Sequence, residues 1–161
     1  MPSAVAFRTV NSAAVALAAA TVQTCLSVIA PAGHGLAMTE FSVTFDGVTN
    51  SAIPALVEIC QSTQAGAGTS GQAVTPVQVR GRSSAGQAPT AGAAFGATPP
   101  SVLTAVWADF VPVFNGFVSI SFTDGHEIEC DSSAGTIKAL VIRITAPAVV
   151  NVRCEIETAN L

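Results

Sequence analysis

The chain has 161 residues, of which 10% are charged and 50% hydrophobic, and its net charge is −4. That length fits one domain, 1–161, able to bury about two thirds of its unfolded surface. Six basic residues, with Lys138 the only lysine, exclude the basic face that nucleic-acid binding requires, and an isolated soluble domain ordinarily carries about a quarter charged residues, so the deficit points to a surface covered by other chains.

The N-terminal residues 5–10 alternate as a strand, with Val5, Phe7 and Val10 as candidate interface side chains. The apolar run 13–20 falls well short of the roughly 20 residues that a bilayer helix needs. With Arg8 as the only charge before it, the run also lacks the basic start of a secretory signal. Neither membrane insertion nor export is expected. Residues 13–17 and 24–29 read as further strands.

Phe41, Val43 and Phe45 alternate with Glu40, Ser42, Thr44 and Asp46, which places three large apolar side chains on one face. Asp46-Gly47 marks a turn. Ala55, Val57 and Ile59 then alternate with Leu56, Glu58 and Cys60, so both faces of this strand are mostly apolar and it reads as central.

From 62 to 101 the composition changes to Gly, Ala, Ser, Thr, Gln and Pro, with Arg80 and Arg82 the only charges. Within it only 74–79 reads as a strand. A loop of this length inside one domain is usually functional or disordered. Its small residues and low charge suit an extended excursion lying against neighbouring subunits, with Val74, Val77, Arg80, Arg82 and Phe95 as contacts.

Strands follow at 102–108, 114–122 and 127–130, punctuated by Asn115-Gly116 and Asp124-Gly125. Trp107 reads as a core or interface anchor. At the C-terminus, Leu140, Ile142 and Ile144 alternate with Val141, Arg143 and Thr145. After Ala146-Pro147-Ala148, Val150, Val152, Cys154 and Ile156 alternate with Asn151, Arg153, Glu155 and Glu157. The pattern predicts an antiparallel hairpin with Arg143, Arg153 and the two glutamates on one polar face. About eight to ten short strands and no amphipathic helix predict an all-β, antiparallel, jelly-roll-like β-sandwich.

Little in the sequence carries chemistry. No nucleophile elbow and no phosphate-binding glycine loop occurs. His34 reads as a turn residue. Asp124, His126 and Glu127 lie close together, with Glu129 beyond, but Asp-Gly is an ordinary turn, and a metal site needs more converging ligands. Cys25, Cys60, Cys130 and Cys154 have no zinc or redox spacing and read as buried thiols, with a 130–154 disulfide as the alternative. No catalytic, cofactor-binding or metal-binding residue is assigned, and neither an enzyme activity nor a cofactor is expected.

Three stretches carry a resemblance. Thr9-Val10-Asn11-Ser12-Ala13 with Leu17-Ala18-Ala19-Ala20-Thr21 and Ile29-Ala30-Pro31-Ala32 opens the chain. Phe41-Ser42-Val43-Thr44-Phe45-Asp46-Gly47-Val48-Thr49 and Pro54-Ala55-Leu56-Val57-Glu58-Ile59 follow, and Arg143-Ile144-Thr145-Ala146-Pro147-Ala148-Val149-Val150-Asn151-Val152 ends it. Together they cover about half of the chain and resemble the head-decoration (cement) proteins of tailed bacteriophages. The resemblance implies a virion protein made in the host cytoplasm and placed on the outer capsid surface. There it would form a homotrimer over junctions of the major capsid protein, with no nucleic acid, membrane or enzyme role. A single jelly-roll capsid shell protein and a carbohydrate-binding jelly-roll module of a phage tail or fibre are the alternatives. For the last of these, Trp107 or the Asp124, His126, Glu127 cluster would supply the site.

Overall fold

The computed structural model describes residues 5–47, 52–64, 70–82, 87–95, 100–131 and 136–161. Among them are β-strands and no helix. In chain order the strands are β1 (Ala6–Val10), β2 (Val15–Leu17), β3 (Val22–Ile29), β4 (Gly35–Phe45), β5 (Ala55–Ser62), β6 (Ser70–Val74) and β7 (Val77–Arg80). They continue as β8 (Thr90–Phe95), β9 (Val102–Val111), β10 (Phe117–Ser121), β11 (Ile128–Asp131), β12 (Ala139–Thr145) and β13 (Val150–Asn160).

Two antiparallel sheets pack face to face as a β-sandwich. The first has the order β10-β4-β13-β1-β7, with β11 also on β4 and β2 also on β13. The second runs β6-β8-β3-β12-β5-β9. The chain crosses between sheets at β2–β3, β3–β4, β4–β5, β6–β7, β7–β8, β9–β10, β11–β12 and β12–β13, the alternation typical of a jelly-roll-like sandwich.

The alternation seen in the sequence builds the interior. Phe41, Val43 and Phe45 of β4 point inward with Val152, Cys154 and Ile156 of β13. They meet Leu26 and Val28 of β3, Val57 and Ile59 of β5, and Leu140, Ile142 and Ile144 of β12. Each fully buried aliphatic or aromatic side chain contributes on the order of 1.5–3 kcal/mol, so this interleaved layer dominates stability. β5 is flanked by β12 and β9, as its two apolar faces predicted.

The C-terminal hairpin does not form. β12 pairs with β3 and β5 in the second sheet, whereas β13 pairs with β1, β2 and β4 in the first. The link through Pro147 is an arch across the sandwich, and the apolar faces of its two strands meet in the interior. Arg143 therefore lies in a different sheet from Arg153, Glu155 and Glu157. An arch and a hairpin share the same period-2 pattern; what differs is whether the apolar faces lie side by side or opposed.

The excursion 62–101 is also corrected. Besides β7, it holds β6 and β8, which extend the second sheet beyond β3. Strands of Gly and Ala show no alternation of large and small residues and so escape notice. Here small size lets the strands approach: a Cβ on Gly92 would lie 2.9 Å from the Ser70 Cβ and 3.1 Å from the Phe95 ring.

Two local devices fix the loops. A Cβ at Gly116 would overlap the Pro112 carbonyl, and the preceding Asn115 takes a positive φ of 48°, so Asn115-Gly116 is a tight turn before β10. The side chain of Asn11 is buried and fully engaged. Its Oδ1 accepts from the Cys154 amide at 2.7 Å, while its Nδ2 donates to the Ala13 carbonyl at 2.6 Å and the Val152 carbonyl at 3.3 Å. It thereby ties the β1–β2 link to β13.

Candidate interaction surface

The two outer faces of the sandwich differ in charge. On the first sheet, Arg8 and Glu157 are cross-strand partners, as are Glu157 and Glu40. Arg8 Nε lies 2.8 Å from Glu155 and its Nη2 3.6 Å from Glu157, while Arg80 Nη2 lies 3.5 Å from the same Glu157. Glu40 accepts from the Ser119 hydroxyl at 3.4 Å, and Asp46 accepts from the amide and side chain of Asn151 at 3.0 and 2.9 Å. The ion pairs join exposed arginines to largely buried glutamates and each contributes about 0–1 kcal/mol. Val10, Val77 and Val79 are exposed on the same sheet. Exposed Phe117 sits on its margin.

The outer face of the second sheet divides into a covered and an open half. On the covered half, Cys60, Val141, Ser27 and Ser62 are buried although they point away from the interior. The Phe95 ring lies against Gly92 there, and with Pro100 and Val102 it lines a depression shared with Thr24 and Arg143. Ser62 Oγ bonds the Ser101 carbonyl, which ties this cover to β5.

On the open half the exposed residues are apolar. Phe110 of β9 is 65% exposed and Ile53 66%, with Val22 and Val106 also exposed and Leu56 half-buried. Ile53, Pro54, Leu56, Phe110, Ala146 and Pro147 wall a depression of about 420 Å³. The charges on these outward positions of β5 and β12 cancel. Glu58 and Arg143 are cross-strand neighbours joined by two hydrogen bonds, Nε to Oε2 at 2.9 Å and Nη2 to Oε1 at 3.0 Å. Their side chains are 13% and 24% exposed. The Glu58 hydrogen bonds raise the Arg143 pKa above its ordinary value, against a smaller lowering by burial.

The residues expected at interfaces are not gathered by the fold. Phe7 and Phe95 are 3% and 2% exposed, so their rings are used inside this chain and offer nothing to a neighbour. Val5 and Val74 are half-buried, Val74 against the interior. Val10, Val77, Arg80 and Arg82 are exposed, but Val10, Val77 and Arg80 belong to β1 and β7 of the charged sheet. Trp107 is half-buried on β9, edge-on to Phe41 at 4.9 Å between ring centres. Ile53, Leu56, Val106 and Phe110 were not singled out, because one sequence does not tell which apolar strand positions face outward.

The Asp124, His126 and Glu127 stretch forms a turn. The His126 amide donates to the Thr123 carbonyl at 2.9 Å, and the Gly125 amide donates to Glu127 Oε2 at 2.6 Å. Among the described residues no three His, Cys, Asp or Glu side chains converge as metal ligands. All four cysteines are buried free thiols rather than a 130–154 disulfide. Burial pushes the Cys130 thiol up to about 12 and raises that of Cys60. Cys154 is raised well above the ordinary value, by burial first and then by hydrogen bonding and charge from Cys25 across the interior.

No protein-family model, no curated protein and no solved structure matches this chain.

Proposed function

We propose that this protein is a structural virion component, a capsid decoration protein. It oligomerises on the outer head surface and stabilises junctions between major capsid subunits. The observation that carries this reading is the cluster of apolar side chains on the open half of the second sheet. Exposed Ile53 and Phe110 and half-buried Leu56 wall one depression, and Val106 is exposed on the same strand as Phe110. Beside them lies a neutralised charge pair, whereas ion pairs run across the first sheet. A contiguous apolar surface of this kind marks an interaction site. Lys and Glu are depleted at the centre of such contacts, and aromatic residues such as Phe110 are enriched. The resemblance of the three sequence stretches to cement proteins supplies the setting. Physically, a cement protein acts by adding buried area across a joint, so that capsomers separate only when those contacts are lost. Repetition over a symmetric shell converts modest single contacts into high avidity.

The test is to add purified protein to phage heads that lack decoration. Binding that raises the temperature at which heads release DNA supports the reading. Heads that neither bind the protein nor gain heat resistance overturn it. A glycan-binding module is separated by the same preparation on a glycan array.

A further inference from the structure

We propose that β9 pairs antiparallel with β9 of a second copy about a two-fold axis at Ala108, joining the second sheets of two chains into one. The inference names the self-partner of the open apolar face and rests on the assembly reading above. β9 closes one edge of the second sheet, ten residues long, with β5 as its only strand neighbour among the described residues. Such an edge is a template for another strand unless something blocks it.

The register of β9 is self-complementary. An axis at Ala108 places Val106 opposite Phe110 of the second copy, and Trp107 opposite Asp109. The outward positions Val106, Ala108 and Phe110 thus meet apolar partners, with the smallest side chain on the axis, where the two copies meet residue for residue. Neither Asp109 faces a second carboxylate.

Charge points to the same occupant. Each chain carries −4 overall, so contact between two copies through a charged face risks repulsion. Beside β9 lies the neutral Glu58 and Arg143 pair, already half-desolvated, so a second copy brings no like charge against it. The backbone agrees. The Phe110 amide donates to its neighbour Asp109 Oδ1 at 2.7 Å, and so it is turned to the free edge rather than toward β5. With Phe110 edge-directed, the period of the ladder makes the Ala108 amide edge-directed too. Pairing exchanges the Asp109 carboxylate for the Val106 carbonyl of the second copy, and the carboxylate is a removable cap on the edge. In the joined sheet the Phe110, Leu56 and Val106 surfaces of both copies form one continuous apolar face.

Light scattering after gel filtration measures the mass, 16.1 kDa per chain. The wild type is expected at two chains. Ala108→Pro lacks the edge-directed amide, which an edge strand tolerates, and is expected at one chain with an unchanged β circular-dichroism spectrum. Phe110→Lys is a second route to the same loss. Asp109→Ala removes the cap and is expected to tighten association about three- to tenfold. Val77→Lys, exposed on β7 of the other sheet, retains the pair. A wild-type monomer overturns the pairing, as does a trimer, or a dimer that survives both Ala108→Pro and Phe110→Lys. Head binding by a wild-type monomer overturns the pairing and leaves the decoration reading standing. A β9-dependent dimer without head binding does the reverse.

Discussion

Replacing Glu58 by Gln tests whether the second sheet depends on its cross-strand charge pair. In the native chain Arg143 donates twice to Glu58, at 2.9 and 3.0 Å, with both side chains more than three-quarters buried. Gln retains the shape and one acceptor but leaves the largely buried Arg143 without a countercharge. A hydrogen bond to a charged group contributes about 1.5–3 kcal/mol. Breaking a fully buried pair costs about 3–5 kcal/mol. Remaining exposure moderates this, so the expected loss is about 2 kcal/mol. For a chain of this size that lowers Tm by roughly 4–8 °C. Guanidinium unfolding of Glu58→Gln, Arg143→Met and the double variant gives the coupling energy directly. The double variant should recover part of the loss, since no uncompensated charge remains. A coupling energy near zero would refute the reasoning and leave the pair as decoration on a sheet held by apolar contacts alone.

Asn11→Ala removes one acceptor contact and two donor contacts in the interior, and is expected to cost about 2–4 kcal/mol in denaturant titrations. Gly116→Ala drives a methyl group into the Pro112 carbonyl and should cost about 2–3 kcal/mol, seen as a lower Tm. Because burial raises the Cys130 thiol from 9.0 to about 12, the unfolded chain binds fewer protons than the folded one above pH 9. Stability is therefore intact below pH 9 and declines as pH rises from 9 to 12, which chemical denaturation at stepped pH will show. The slope in this window should shrink in Cys130→Ala. His126→Ala, in an exposed turn, should change stability by less than about 0.5 kcal/mol and leave head binding unaltered.

The interior was legible in the sequence wherever large and small or apolar and polar residues alternate, as in 41–45, 55–60 and 150–156. Alternation reports that a strand has an inside, but not which sheet it joins. That is why β12 and β13 looked like hairpin partners when they oppose each other across the core. β8 was missed for the opposite reason: Thr-Ala-Gly-Ala-Ala-Phe has no periodic contrast, and its role is close approach. Asn11 read as part of a motif, although its work is to bond β13 from 143 residues away. At the surface the limits are sharper. Scarce charge raised the expectation of a face covered by other chains in the first thirty residues and 62–101, but these segments supply much of the charged sheet and the covering of the second. The open patch instead draws on Val22, Ile53, Leu56, Val106 and Phe110, ordinary strand or turn residues until the sheets are assembled.

Hydroxyl-radical footprinting of the chain, free and bound to heads, tests the central claim that the open half of the second sheet is the contact face. Phe110, Ile53, Leu56 and Val106 are expected to lose reactivity on binding, while Phe117 and Val77 of the charged sheet keep theirs. Protection of Phe117 and Val77, with Phe110 and Ile53 still reactive, would contradict the account.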